Sequence, residues 1–192
     1  MFTAADTLPH GPRRILVAGV SGCGKTTLAF RLGSLLDLPH TEIDSLFQGP
    51  NRVPRADFIS DVDRLTREPG WVTEWQYGTV RRMLAQRADT LIWLDFRIGV
   101  TMSRLIRRTV RRRLRGEELW NGNVEGPLHG VLTDRDHIIR WGWRTRNKPK
   151  QLVPGLAGKY PGLAVVRLAS PAELELWLRR LAADVASERG RA

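Results

Sequence analysis

The residues best equipped for chemistry are Gly19-Val-Ser-Gly-Cys-Gly-Lys25-Thr26, in which three glycines alternate with small side chains ahead of a lysine and a hydroxyl. Glycines let a loop bend so that several backbone N–H groups point inward, and the start of a following helix adds partial positive charge. The result is a nest for phosphate oxygens. Every fixed position of the pattern G-x-x-x-x-G-K-[ST] is met. Gly19, Ser21, Gly22, Cys23, Gly24, Lys25, Thr26 and Thr27 are therefore expected to hold the phosphates of ATP. Lys25 would reach the β- and γ-phosphates, and the Thr26 hydroxyl would join the shell of Mg²⁺.

Magnesium keeps several waters and takes few protein ligands, so one more carboxylate is expected near it. Glu74 and Asp95 both close apolar runs, Trp71-Val-Thr-Glu74 and Thr90-Leu-Ile-Trp-Leu-Asp95. Glu74 is the choice for the metal, and Asp95 reads as a strand-end or helix-capping residue. Asp44 is expected to end a strand over residues 39–43, where it would meet an acceptor hydroxyl as hydrogen-bond acceptor or base; a turn-capping role is the alternative.

These groups need a scaffold, and the hydrophobic pattern supplies one. Residues 13–19 are a short apolar run ending in glycine, and Lys25 to Leu36 carries Leu28, Ala29, Leu32, Leu35 and Leu36 at helical spacing. Further strands are expected at 39–43, 71–74, about 90–95 and 163–168, with helices between them. The long helix from about 100 to 114 is rich in arginine. Ser170-Pro-Ala-Glu173 is a capping-box start for the last helix. Alternating strands and helices imply a parallel sheet covered on both faces, with ligands at the carboxyl ends of the strands. The expected fold is α/β, a P-loop NTPase three-layer sandwich with a five-stranded parallel sheet in order 2-3-1-4-5 and a lid insertion. Residues 1–12 read as a flexible extension, 13–187 as one P-loop kinase domain with a lid region at about 111–140, and 188–192 as a frayed tail.

The chain carries 31 Lys and Arg against 20 Asp and Glu, a net charge of +11 that favours polyanionic partners. Of the nineteen residues from Arg97 to Arg115, eight are arginine, with too few nearby acids for a merely solvated face. Phosphoryl transfer spreads negative charge, so swinging arginines suit it. Nucleic acid is the competing partner, with Trp120, Trp141 and Trp143 as stacking platforms, although tryptophans are expected in the core. No apolar stretch approaches the roughly 20 residues of a membrane span, and no signal-peptide pattern opens the chain, so a cytoplasmic location without membrane partners is expected. The single Cys23 cannot form an internal disulfide and reads as a small loop residue.

With the loop, "LPHTEIDSLF", "PGWVTEWQY", "ADTLIWLDF" and "RRLRGEELWNGN" in view, the chain resembles the adenylate-kinase-like P-loop kinases, and most closely the bacterial proteins known as adenylate kinases or DNA topology modulation proteins. The resemblance, over about residues 15–150, implies phosphoryl transfer from ATP to a nucleoside monophosphate or other small molecule. It implies that Arg104 lies against the nucleotide base and Arg108 against the phosphates, since both follow Asp95 at the family's spacing. Arg81 resembles the arginine that holds the acceptor's phosphate, and Arg135 and Arg144 would be later lid arginines. The loop at Ala169-Ser170-Pro171 is similar to one that touches adenine. The chain departs from adenylate kinases where Glu74-Trp-Gln-Tyr77-Gly78 replaces Asp-Gly-Phe-Pro-Arg, which leaves the acceptor open between AMP and a hydroxylated metabolite. The alternative function is a nucleic-acid-associated P-loop ATPase.

Overall fold

The computed structural model describes residues 1–117, 134 and 137–190. The chain runs through β1 (Arg14–Gly19), α1 (Lys25–Leu36), α2 (Ile43–Phe47), α3 (Phe58–Arg67), β2 (Trp71–Glu74), α4 (Arg81–Arg87), β3 (Thr90–Leu94) and α5 (Ile98–Arg115). It continues through α6 (Ile138–Arg144), α7 (Lys148–Leu152), α8 (Leu156–Lys159), β4 (Ala164–Leu168) and α9 (Pro171–Arg189).

The strands form one parallel sheet in the order β2-β1-β3-β4. Strand alternation divides its side chains between two cores. Leu16, Ala18, Trp71, Leu91, Trp93 and Val165 pack with Phe58, Val62, Leu84 and Leu156 on one face. Ile15, Val17, Val72, Ile92, Leu94 and Val166 pack with Leu28, Leu32, Trp177 and Leu181 on the other. Both faces are covered, so the strand interiors are mostly apolar rather than alternating with polar residues.

Among the described residues the sheet has four strands, not the expected five in order 2-3-1-4-5. Residues 39–43 do run beside β2, where Val72 N–H donates to Pro39 O at 2.9 Å and Thr41 N–H to Val72 O at 3.1 Å. Only one bridge, His40 with Val72, results. The ladder stops because the Ile43 N–H turns to the Glu74 carboxylate, at 2.9 Å, and the chain enters α2 at that residue. Asp44 consequently lies in a helix instead of closing a strand.

The N-terminal residues, expected as a loose extension, are docked on the sheet. Phe2 N–H donates to Val165 O at 2.7 Å and Phe2 O accepts from Arg167 N–H at 2.8 Å, which covers the edge of β4. Arg180 adds hydrogen bonds to the carbonyls of Ala4 and Ala5. At the other end α9 extends to Arg189, past the expected start of fraying at residue 188. Most of the expected lid, residues 118–133 and 135–136, lies outside the described residues, and Trp120 and Arg135 with it. No helix among the described residues is long and apolar enough to cross a membrane.

The helices α5 and α6 settle over the loop between β1 and α1. Gly22 has φ +82°, and a Cβ there would stand 2.4 Å from Thr101 O and 2.8 Å from the Leu105 Cβ. A Cβ on Gly142 would meet Leu105 Cδ2 at 2.6 Å and Ser21 Cβ at 3.7 Å. Glycine at both positions is what lets the roof approach. We expect Gly22→Ala to lower unfolding free energy by about 1–3 kcal/mol through strain and overpacking, read by urea denaturation. A variant as stable as the parent would contradict the close approach.

Candidate functional site

The loop from Gly19 to Gly24 joins the end of a buried strand to a helix, and its backbone departs from ordinary space at Gly22 and at Gly24, where φ is +99°. No side chain caps α1 and no acid sits in its first turn, so its N–H groups stay available to an anion. Lys25 Nζ donates to Val20 O at 3.2 Å, which folds the ammonium back over the loop. Cys23 is buried against Gly19, and burial pushes its thiol pKa up, the reverse of what a nucleophile needs. It serves as a small packing residue.

Glu74 ends β2 beside this loop and is 2% exposed. Oε2 accepts from the Ile43 N–H at 2.9 Å, while Oε1 faces His40 Nε2 at 3.7 Å, and neither of those two atoms has a hydrogen-bond partner. Burial raises the carboxyl's pKa, but His40, the Ile43 amide and the Thr26 hydroxyl together more than offset it, so Glu74 is held below the usual carboxylate range. A buried carboxylate oxygen without a donor, next to a threonine hydroxyl, fits the shell of a hydrated divalent cation. Among the described residues no group of three or more His, Cys, Asp or Glu gathers to hold a metal, so such a cation would rely on phosphate oxygens and water as well.

Asp95 is occupied elsewhere. Its Oδ2 accepts from Arg167 Nε at 2.8 Å and Nη2 at 2.6 Å, and Lys150 Nζ lies 3.8 Å from Oδ1. Both donors meet the one oxygen, which ties the end of β3 to β4, and Asp95 does not cap the helix that follows. Ser170 is engaged too, because its Oγ accepts from Glu173 N–H at 3.2 Å while Glu173 Oε2 accepts from Ala169 N–H at 2.9 Å. That is a capping box at the start of α9 whose return bond goes to the residue before the cap.

On the other side of Glu74 lies a second group of polar side chains. Asp44 Oδ1 accepts from the Tyr77 hydroxyl and from Gln76 Nε2, the latter at 3.2 Å. Burial, then the Asp44 charge, pushes the Tyr77 phenol far up, so it remains a donor. Tyr77 stacks on Phe47 with ring centres 4.0 Å apart, and Phe58 meets both edge-on. Its backbone sits at φ +53°, which costs a non-glycine residue about 1–2 kcal/mol. Arg81 stands over the Trp75 ring at 5.2 Å, its Nε buried without a partner, and desolvation lowers its pKa.

The arginines of α5 divide. Arg104 is exposed, with its guanidinium 5.8 Å from the Phe96 ring centre, and Arg108 is partly buried beside the roof contacts. Arg111, Arg112 and Arg115 surround Glu117 at 3.5, 3.7 and 4.0 Å, so three of the block share a carboxylate. Arg144 lies over Trp141 at 5.0 Å. Trp141 and Trp143 are 41% and 54% exposed, against the expectation that they pack in the core. They flank Gly142, which is the residue of α6 that faces the loop. The fold thus gathers the phosphate loop, Thr26, Glu74 and the α2 segment, and leaves Ser170 and Asp95 in structural roles. His40, Gln76 and Tyr77 escaped sequence reasoning, although a bulky residue before Gly78 in a loop following an acid was a usable signal.

No family model matches the chain. The ATP-dependent protease ATPase subunit HslU of Methylobacterium nodulans is 32% identical over 128 residues, covering 64% of this chain and 28% of that protein. HslU of Methylorubrum extorquens is 32% identical over 120 residues, 59% of this chain and 26% of that protein. The chain spans little more than a quarter of the curated relatives it matches. A solved gluconokinase from Sinorhizobium meliloti 1021 is 18% identical, with a TM-score of 0.48 over 93% of this chain and 98% of that one.

A carboxylate whose folded pKa is depressed stabilises the fold at pH values above its unfolded pKa of about 4.3, and that contribution is lost as pH falls through the folded value. Glu74→Gln should therefore flatten the acid side of the stability curve in magnesium-free buffer. Thermal melts between pH 3 and 7 check this; an unchanged acid slope would show that Glu74 is not held charged.

Proposed function

We propose that the chain is an ATP- and magnesium-dependent phosphotransferase acting on a small-molecule acceptor, a nucleoside monophosphate or another small molecule, in the manner of adenylate-kinase-like P-loop kinases. The observation that carries this reading is the meeting of a complete phosphate loop with a buried, charged Glu74 beside Thr26. The ATPase relatives support the nucleotide part of it.

In this reading the loop amides and the uncapped start of α1 bind the β- and γ-phosphates. Lys25 leaves the Val20 carbonyl to sit on the γ-phosphate oxygens, where charge grows as the bond to the leaving oxygen lengthens. Thr26 and Glu74 would hold the magnesium, which would neutralise phosphate charge. Arg108 supplies positive charge from the roof, and Arg104 borders the base. Asp44 and Arg81 belong to the acceptor. Positioning and electrostatics perform most of the catalysis, which matches a site built from fixed amides and cations.

Lys25→Ala should reduce ADP formation by at least about 100-fold with the melting temperature unchanged, as for removal of one transition-state donor. Turnover near that of the parent would sink the assignment.

A second reading, a nucleic-acid-associated ATPase, draws on the exposed Trp141 and Trp143, which carry Arg144, Lys148 and Arg146 against their rings. Under it, retention of a single-stranded oligonucleotide should fall steeply with salt, because each phosphate contact releases counterions. Absence of retention at low salt would dispose of it.

A further inference from the structure

Glu74 divides the site into a phosphate side and an acceptor side, and the acceptor side is built around a carboxylate. The Ile43 amide, one residue before Asp44, is anchored on Glu74, so the start of α2 is fixed relative to the metal-side carboxylate. Asp44 is then held by two donors on the same oxygen, Oδ1, from Tyr77 and Gln76. Its orientation is set, and among the described residues no hydrogen bond reaches Oδ2. Tyr77 makes its contact from a left-handed backbone position that a non-glycine residue rarely adopts. Strain of that kind is found where a side chain must be placed in one position.

A carboxylate is a poor neighbour for a phosphate acceptor. A phosphate monoester carries between one and two negative charges at neutral pH, its second pKa being about 6, and needs no base to attack. A like charge beside it is unfavourable. An alcohol is the opposite case, arriving neutral and about as weak an acid as water, so a positioned base assists its attack. A second feature points to charge elsewhere on the molecule. Arg81 lies over Trp75, in the same apolar cluster as Tyr77 and Phe47, with no carboxylate paired to it among the described residues. A half-buried guanidinium of that kind suits an anionic ligand group.

Resting on the phosphotransferase reading, we infer that the acceptor is a small hydroxylated acid, whose alcohol is phosphorylated with Asp44 as its base and whose carboxylate pairs with Arg81. In the step, the acceptor O–H gives its proton to Asp44 Oδ2 as its oxygen bonds to the γ-phosphorus. The bond from that phosphorus to the β,γ-bridging oxygen breaks, the electron pair leaves on ADP, and Asp44 later releases the proton to water. Tyr77 and Gln76 are positioning residues that hold Asp44, and the rings of Phe47 and Phe58 hold Tyr77.

The test uses the full chain with ATP and Mg²⁺, following ADP formation with D-glycerate, L-threonate and quinate, with glycerol, threitol and inositol as uncharged counterparts, and with AMP. At least one hydroxy acid should be phosphorylated, with kcat/KM 10-fold or more above its counterpart, and AMP should not. With that acid, Asp44→Asn should lower kcat about 100-fold while binding of a fluorescent ATP analogue stays unchanged. Arg81→Gln should raise KM for the acid and leave that of its uncharged counterpart alone. Tyr77→Phe should lower kcat more than KM. Transfer to AMP that survives Asp44→Asn, or no transfer to any hydroxy acid while ATP is still bound, overturns the inference and leaves the phosphotransferase reading standing on the AMP result. Failure to bind the ATP analogue at all overturns the underlying reading instead.

Discussion

The arrangement of the site depends on one buried carboxylate at the end of an interior strand. Burial raises the pKa of Glu74, and the groups that outweigh it and hold the carboxyl below its usual range come from three separate parts of the chain. Thr26 brings the phosphate loop, Ile43 brings the start of α2, and His40 brings the segment that precedes it. An ionised group in such a position is costly unless surrounded by donors, so the donors and the carboxylate specify one another's places. The same requirement ends the pairing of residues 39–43 with β2. The amide that would have continued toward a ladder is spent on the carboxylate, and Asp44 is delivered on a helix beside it.

The roof follows a second constraint, close approach of backbone. Gly22 in the loop and Gly142 in α6 leave room for Thr101 and Leu105 to pack directly on the phosphate-binding segment. Arg104 and Arg108 follow three and seven residues beyond Thr101 on the same helix, the first exposed and the second half-buried. Farther along α5 the arginines are gathered by Glu117, which moderates the local charge and restrains the end of the helix. The +11 net charge is therefore not evenly available to a polyanion.

Much of this was legible in the residues. The phosphate loop could be read because its chemistry demands glycine at fixed positions, and the parallel sheet because strands buried on both faces are apolar without alternation. The capping box at Ser170 was visible for a similar local reason, although its presence commits that hydroxyl to the helix. What could not be read depended on contacts distant in sequence. The missing fifth strand turns on a hydrogen bond between Ile43 and Glu74, thirty-one positions apart. The role of Asp95 depends on Arg167, seventy-two positions away. His40, Gln76 and Tyr77 gain meaning only once β2 places them around Glu74 and Asp44. Trp141 and Trp143 stand outside because the small residue between them is the one that packs.

The coupling between Glu74 and the metal is best measured by titrating a fluorescent ATP analogue into the parent chain and Glu74→Gln, each with Mg²⁺ and with a chelator. The account predicts that magnesium tightens binding in the parent, that the gain largely disappears in the variant, and that the two proteins bind alike in chelator. An equal gain from magnesium in both would contradict it, since the buried carboxylate would then serve the fold and not the phosphate site.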